Sequence, residues 1–431
     1  MRWRRMIGLG ALALSMLGPC SALAQSSVPA DAPAFNLPDG FFPILSWDLP
    51  HWSDAAFSST DHGLDSVARC GFNTAAFVRP HHLQKAEKLG LQCILAAQDF
   101  PIPWREMSDP QIDAAVRQLV ESAGNSPAVM GYFLADEPGA PDFPALGRAV
   151  AAVKRLAPGK LAYINLFPDY ATLGAPDISQ LGTPTYGDYL EQFVSQVKPQ
   201  FISYDNYQIQ YSNDQKNPAI AASYYNNLLA VRRVAMEHHL PFWNIVSSNR
   251  IRADMPVPSP ANLLLQAYTT LAAGAKGLTW YTYYSPGYDY APINQAGHAT
   301  VTWSSLKMVN DQVKVLGPIL RPLQSTGVYF TAPQPAAALP ALPGQSVQGI
   351  TCTSPLMIGE FAGPHDQRYA MIVNLNLRDS AQFKLTPLSP RDEIRQLSPV
   401  DGSSLPLEPA NAVWLSAGQG VLLEFQARGK N

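Results

Sequence analysis

Short apolar runs alternate with longer segments of helical spacing along most of the chain. The runs read "FPILSWD" (42–48), "FNTAAFV" (72–78), "LQCILAAQ" (91–98), "VMGYFLAD" (129–136), "KLAYINLF" (160–167), "FISYDNY" (201–207), "PFWNIVSS" (241–248) and "GLTWYTYY" (277–284). Near-continuous apolar strands belong in a parallel sheet covered on both faces. The segments between them have recognisable helix ends. "SDPQIDAAVRQLVESAG" opens on Ser108 as a cap and stops at Gly124. "PDFPALGRAVAAVKRLAPG" starts at Asp142 and carries an apolar stripe through Leu146, Val150 and Val153. Eight alternations over roughly 290 residues predict an α/β protein, a (β/α)8 TIM barrel. A doubly wound sheet expects a glycine-rich turn after its first strand, and "SWDLPHWSD" has none.

The texture changes after about Pro322. "QPAAALPALPGQS" reads as a Pro/Ala linker or long loop. "YAMIVNLN", "AQFKLT", "EIRQLS", "AVWLSAG" and "GVLLEFQ" then read as short strands punctuated by turns. They predict a C-terminal antiparallel β-sandwich. The organisation expected is a signal peptide over 1–24, a linker over 25–40, the barrel over 41–325 and the sandwich over 326–431. "MRWRR" and the apolar "MIGLGALALSMLG", ending in small residues near Ala24, have the layout of a cleavable export signal. The expected location is the periplasm or outside the cell, with no membrane attachment after cleavage.

Composition narrows the chemistry. A net charge of −3 points away from nucleic acid and anionic membranes. Cys70, Cys93 and Cys352, left after the signal, form neither a zinc pattern nor a disulfide framework. Cys70 and Cys93 read as small buried residues, with a disulfide between them left open. No motif calls for a metal or cofactor. The sequence carries no sign of an oligomeric state.

Barrel chemistry sits on the loops at the C-terminal strand ends, so the acids there are the ones to weigh. Glu137 is the only glutamate ending a barrel strand, in "GYFLADEPG". Asp48, Asp99, Asp136, Asp169, Asp205 and Asp289 lie at or after strand ends. Asp136 and Glu137 close their strand instead of opening the next helix, because Asp142 is placed to cap it. Adjacent acids at an apolar strand end repel and lose solvent, which raises a carboxyl pKa as a general acid requires. One proton-donating carboxyl facing an ionised one is the pattern of glycoside hydrolysis.

"GYFLADEPG" resembles the strand-four signature of clan A glycoside hydrolases, usually Asn-Glu-Pro, and "KGLTWYTYY" resembles their strand-eight segment. The arrangement of a barrel and a sandwich is similar to β-galactosidase-like members such as family 42. The resemblance covers the barrel, about two-thirds of the chain. It implies Glu137 as acid/base and Trp280 as the floor of a sugar subsite. Two positions depart from it. Asp136 stands where the clan has asparagine, and strand seven ends in Ser247, Ser248 and Asn249 without the clan's glutamate nucleophile.

The expectation is therefore an exported glycoside hydrolase acting on an oligo- or polysaccharide, with Glu137 and Asp205 catalytic. Asp136, Trp280, Asp48, Trp47, Asn165, Tyr204 and Tyr283 are the expected substrate-binding residues, with Asp48 as the reserve carboxylate. Strands four and six are two steps apart, so Glu137 and Asp205 fit either the separation of about 5 Å of a retaining pair or the roughly 6.5–9.5 Å of an inverting one. The alternative is a non-catalytic carbohydrate-binding protein on a degenerate barrel. In the sandwich, Trp414 is the one ring suited to a glycan.

Overall fold

The computed structural model describes residues 35, 37–48, 63–208, 218–251, 253, 255–284, 287–407 and 412–427. The expected signal and most of the expected linker lie outside them. Eight parallel strands close into a barrel in sequence order. They are β1 (Ile44–Trp47), β2 (Thr74–Val78), β3 (Gln92–Ala96), β4 (Val129–Asp136), β5 (Leu161–Leu166), β6 (Ile202–Asp205), β7 (Phe242–Ser247) and β8 (Gly277–Tyr281). Among the described residues one α-helix follows each strand. In order these are α1 (Leu64–Arg69), α2 (Leu83–Lys88), α3 (Asp109–Ser122), α4 (Phe143–Leu156), α5 (Tyr186–Gln192), α6 (Pro218–Glu237), α7 (Pro260–Ala272) and α8 (Val301–Leu320).

Both strand faces are buried, which explains the unbroken apolar runs. Leu45, Trp47, Ile94, Phe133, Tyr163, Trp243 and Ile245 fill the barrel interior. Their neighbours in sequence, such as Ile44, Leu95, Ile164, Tyr204 and Val246, pack outward against the helices. This period of two fixes which residue of each strand reaches the mouth on the inside.

Capping chemistry agrees with the sequence at α3. The backbone N–H and hydroxyl of Ser108 both donate to the side chain of Gln111, at 2.8 and 2.7 Å, and Gly124 ends that segment at φ 56°. Ser259 accepts from the backbone N–H of Asn262 at 3.1 Å at the start of α7. Asp142 differs: it ends a 3-10 turn, takes the N-cap position of α4 with helical angles, and makes no side-chain cap bond. Cys70 and Cys93 are buried free thiols, so the disulfide left open in the sequence does not form.

The C-terminal part is a two-sheet antiparallel sandwich. Its six-stranded sheet runs β15 (Ser404–Leu407), β14 (Asp392–Leu397), β17 (Gly420–Ala427), β12 (Arg368–Asn374), β11 (Leu356–Ala362) and β9 (Gln324–Phe330). The smaller sheet orders β10 (Val347–Cys352), β13 (Ala381–Pro387) and β16 (Val413–Leu415). The first sandwich strand thus precedes the Pro/Ala-rich stretch, which is a loop inside the sandwich. Ile358, Ile372 and Leu423 face the smaller sheet. Met357, Met371 and Leu422, one residue out of step, face the barrel helices. Trp414 lies exposed on β16, at the edge of the smaller sheet.

Helix α7 is the seam between barrel and sandwich. Every residue from Asn262 to Ala272 is buried, as expected of a helix covered on all sides. Gly359 on β11 allows the closest approach, because a Cβ there would collide with the carbonyl of Ala272. Overpacking of this kind costs about 1–3 kcal/mol or more. Gly359→Ala is therefore expected to lower stability by about 3 kcal/mol in urea unfolding. A change within about 0.5 kcal/mol would show that the seam yields freely.

Candidate active site

Three polar residues reach the inside of the mouth on neighbouring strands, Asn165 and Asp205 by alternation and Asp136 because a one-residue register shift after the inward Phe133 brings it level with Asn165. Asp136 ends β4, Asn165 lies near the end of β5, and Asp205 ends β6. Asp136 is in register with Asn165. Glu137 follows directly at φ 46°, a left-handed conformation that costs a non-glycine residue energy and clusters at functional sites. Its backbone N–H donates to the Asn165 carbonyl at 2.9 Å, which anchors the turn to β5. The next carbonyl, on Pro138, accepts from the buried Tyr189 hydroxyl at 2.7 Å. The strained residue is thus held on both sides.

Asn165 organises the acids. Its amide N–H groups donate to Asp136 at 3.1 Å and to Asp205 at 2.9 Å. Its carbonyl oxygen accepts from the Ser203 hydroxyl at 3.3 Å, which pairs in turn with the Tyr163 hydroxyl at 2.9 Å. That hydroxyl pair, one layer deeper in the barrel, keeps the donor end of the amide toward the carboxylates.

The carboxyls of Glu137 and Asp205 are in direct hydrogen-bond contact. Two ionised carboxylates cannot share such a contact, so one proton stays with the pair. Burial pushes the Glu137 carboxyl up first, and the charges of Asp205 and Asp136 push it further, to about 10. Asp205 is also raised, by burial first and then by Asp136, while its bonds with Asn165 and Glu137 pull it back. The proton therefore sits on Glu137, and Asp205 accepts it. Burial raises Asp136 to about 6, against the bond from Asn165.

A cavity of about 600 Å³ opens beside the cluster, lined by Phe100, Pro103, Trp104, Glu106, Asp136 and Glu137 among others. A second, of about 630 Å³, lies between the end of β3 and α3 and contains none of the three acids. Tyr281, the inward residue at the end of β8, stacks on Tyr207 at 5.1 Å and 24°. Its hydroxyl pairs with that of Tyr288 at 2.8 Å. Burial, then Tyr288, then Asp136 and Asp205 hold the Tyr281 phenol protonated.

Several residues expected at the substrate lie elsewhere. Trp280 is fully buried on the outer face of β8 and donates to Asn310 of α8 at 2.8 Å, so it is no subsite floor. Tyr204 packs outward between β6 and the helices. Tyr283 is buried, donates to Ser66 at 2.5 Å and accepts from Trp303 at 3.1 Å. Trp47 fills the barrel interior edge-on to Phe77 and Phe133, at 4.6 and 5.5 Å. Asp48 is buried beside β8, where one oxygen accepts the Tyr284 N–H at 2.9 Å and holds the loop that follows. Asp289 pairs with Arg250 at 2.6 Å. Asp169 is bonded by the Ser223 hydroxyl at 2.9 Å. The sequence did not single out the Tyr207–Tyr281 pair or the Ser203–Tyr163 support. Counting in twos from Asp205 and Asn165 finds Ser203 and Tyr163, and on β8 the same count runs through Thr279 to Tyr281.

No family model matches the chain, and no curated protein matches it in sequence. Solved structures do share its fold. A catalytic mutant of a family 42 β-galactosidase from G. stearothermophilus is 9% identical, with 89% of this chain and 98% of that one covered at a TM-score of 0.60. A family 5 glycoside hydrolase from Bacteroides vulgatus is 12% identical, with 91% and 90% covered at 0.55. A further glycoside hydrolase is 13% identical, with 91% and 94% covered at 0.54. At these identities the likeness is one of fold.

The retained proton has a consequence for stability. Folded Glu137 binds its proton more tightly than the unfolded chain does. The resulting stability is complete below the ordinary carboxylate range and is lost as pH rises toward about 10. Glu137→Gln cannot ionise and escapes this loss. It is expected to melt above the wild type near pH 8, with the gap closing toward pH 4. A gap independent of pH in calorimetry would mean that Glu137 titrates normally.

Proposed function

We propose that the chain is an exported glycoside hydrolase in which Glu137 donates the proton to the departing glycosidic oxygen. One observation carries this reading: the Glu137 carboxyl, in contact with Asp205 and raised in pKa by burial and its acidic neighbours, stands at the mouth of the barrel beside an open cavity. Glycosidic oxygens leave poorly as alkoxides, so a neutral acid within reach is the main chemical requirement. The fold shared with glycoside hydrolases supports the choice of reaction, and the family 42 and family 5 neighbours point to a carbohydrate substrate. The basic and apolar pattern of residues 1–24 supports export.

Asp205 takes a different role from the one expected of a carboxylate across the substrate. A sugar ring does not fit between carboxyls in contact, and the pair stands at neither the separation of about 5 Å of a retaining site nor the roughly 6.5–9.5 Å of an inverting one. Asp205 instead keeps the proton on Glu137, and Asn165 keeps Asp205 in place. Tyr281 and Tyr207 offer an aromatic wall for a sugar face, the part assigned from sequence to Trp280.

The binding-protein alternative needs no proton donor. Three acids crowded at the ends of β4 and β6, one of them in a left-handed conformation, lower stability without any gain in affinity for a neutral sugar.

Glu137→Gln is expected to lower hydrolysis of unactivated glycans by about 10²–10⁴-fold with the fold intact by circular dichroism. Dinitrophenyl glycosides, whose leaving group needs no proton, should lose far less. Wild-type turnover by Glu137→Gln on unactivated glycans would remove Glu137 from the reaction.

A further inference from the structure

We infer that the substrate supplies its own nucleophile: the sugar cleaved at this site carries an acetamido group on carbon 2, whose carbonyl oxygen attacks the anomeric carbon. The inference rests on the hydrolase reading above and names the substrate class for it.

The first ground is the carboxyl contact. Glu137 and Asp205 stand together on the β4–β6 side of the mouth: the Glu137 backbone N–H donates to the Asn165 carbonyl, the Asn165 amide donates to Asp205, and the two carboxyls are in contact. Asp205 is therefore in the wrong place to attack from the opposite face of a sugar that Glu137 protonates. The second ground is β7. Trp243 and Ile245 point into the barrel, so Ser247 is the inward residue at its end. The Ser247 hydroxyl donates to the Asn249 carbonyl at 3.2 Å. Its backbone N–H donates to Gln266 at 2.9 Å. Ser248 donates to the Thr282 carbonyl at 2.8 Å, and Asn249 donates to the Thr282 hydroxyl at 3.0 Å. These groups are neutral and buried, and no base lies among them to activate a hydroxyl. The charges that press most on Glu137 are those of Asp205 and then Asp136, both on its own side of the mouth.

The third ground is what Asp205 offers. One of its oxygens is occupied by Asn165, and the carboxyl otherwise accepts the Glu137 proton. A substrate amide N–H can replace the Glu137 O–H at Asp205 and so turn that proton toward the glycosidic oxygen. The amide carbonyl then forms a bond to the anomeric carbon as the bond from that carbon to the leaving oxygen breaks. The electron pair of the broken bond goes to the leaving oxygen, which takes the Glu137 proton. The cyclic oxazolinium that results carries its positive charge beside the Asp205 carboxylate. Water next attacks the anomeric carbon, ionised Glu137 takes the water proton, and the ring opens to restore the acetamido group.

The test uses the full chain with nitrophenyl glycosides in which the substituents on carbons 1 and 2 are trans. One set carries 2-acetamido groups and the other 2-hydroxyl groups, and oligosaccharides of both classes accompany them. The expected result is kcat/KM at least about 100-fold higher for the acetamido set. A stepwise fall in kcat/KM as fluorines are added to the N-acyl group, and a product of retained configuration, should accompany it. Equal or faster cleavage of the hydroxyl set overturns the inference, as does a covalent sugar–protein adduct with 2-fluoro glycosides in mass spectrometry. Both of those outcomes leave the hydrolase reading standing. Cleavage of neither class overturns the hydrolase reading and the inference together.

Discussion

The proton shared between Glu137 and Asp205 is the interaction on which the site depends. It exists because three adjacent strands deliver their last inward residues to one spot. The amide of Asn165 then satisfies Asp136 and Asp205 together, so that neither is free to turn away. Without this brace, crowded carboxylates would separate into solvent and ionise. With it, burial and mutual repulsion hold one proton at neutral pH on the residue best placed to give it up. The left-handed backbone at Glu137 belongs to the same arrangement.

The rest of the molecule keeps that geometry rigid. Rings of Trp47, Phe77, Phe133, Tyr163 and Trp243 fill the barrel beneath the acids. The Tyr163–Ser203 hydroxyl pair passes this packing up to Asn165. On the outside, α7 is buried between the barrel and the six-stranded sheet, so the sandwich covers a flank of the barrel that would otherwise expose an apolar helix. Its contribution is to packing, some distance from the carboxylates.

The barrel was legible because each of its strands is a short apolar run between loop residues. The position of Glu137 followed from the same reading, since one glutamate alone ends such a run. The facing of each side chain was harder. Strands buried on both sides lose the polar alternation that marks inside from outside, so Trp280 and Tyr281 looked equivalent, although only Tyr281 faces the mouth. The same loss hid the outward facing of Tyr204. Asp48 was ambiguous for another reason: a strand-end aspartate serves a backbone N–H as readily as a substrate, and here it holds Tyr284. In the sandwich, β9, β10, β11 and β15 were not read as strands: β10 and β15 are half-exposed and β15 contains a proline, which leaves little apolar pattern, while β9 and the buried β11 lie on either side of the Pro/Ala-rich stretch that was read as linker. The contact between Glu137 and Asp205 lay beyond sequence altogether, because it depends on side-chain placement across β5.

The central claim, that Glu137 keeps its proton at neutral pH, is open to direct measurement. Carbon-13 NMR of protein labelled at the glutamate carboxyls, recorded with Glu137→Gln to assign the resonance, follows this one group through a titration. The Glu137 signal is expected at the protonated shift at pH 7, moving only well into the alkaline range, and earlier once Asp205→Asn removes the neighbouring charge. A Glu137 signal already at the ionised shift at pH 7, unmoved by Asp205→Asn, would contradict that claim.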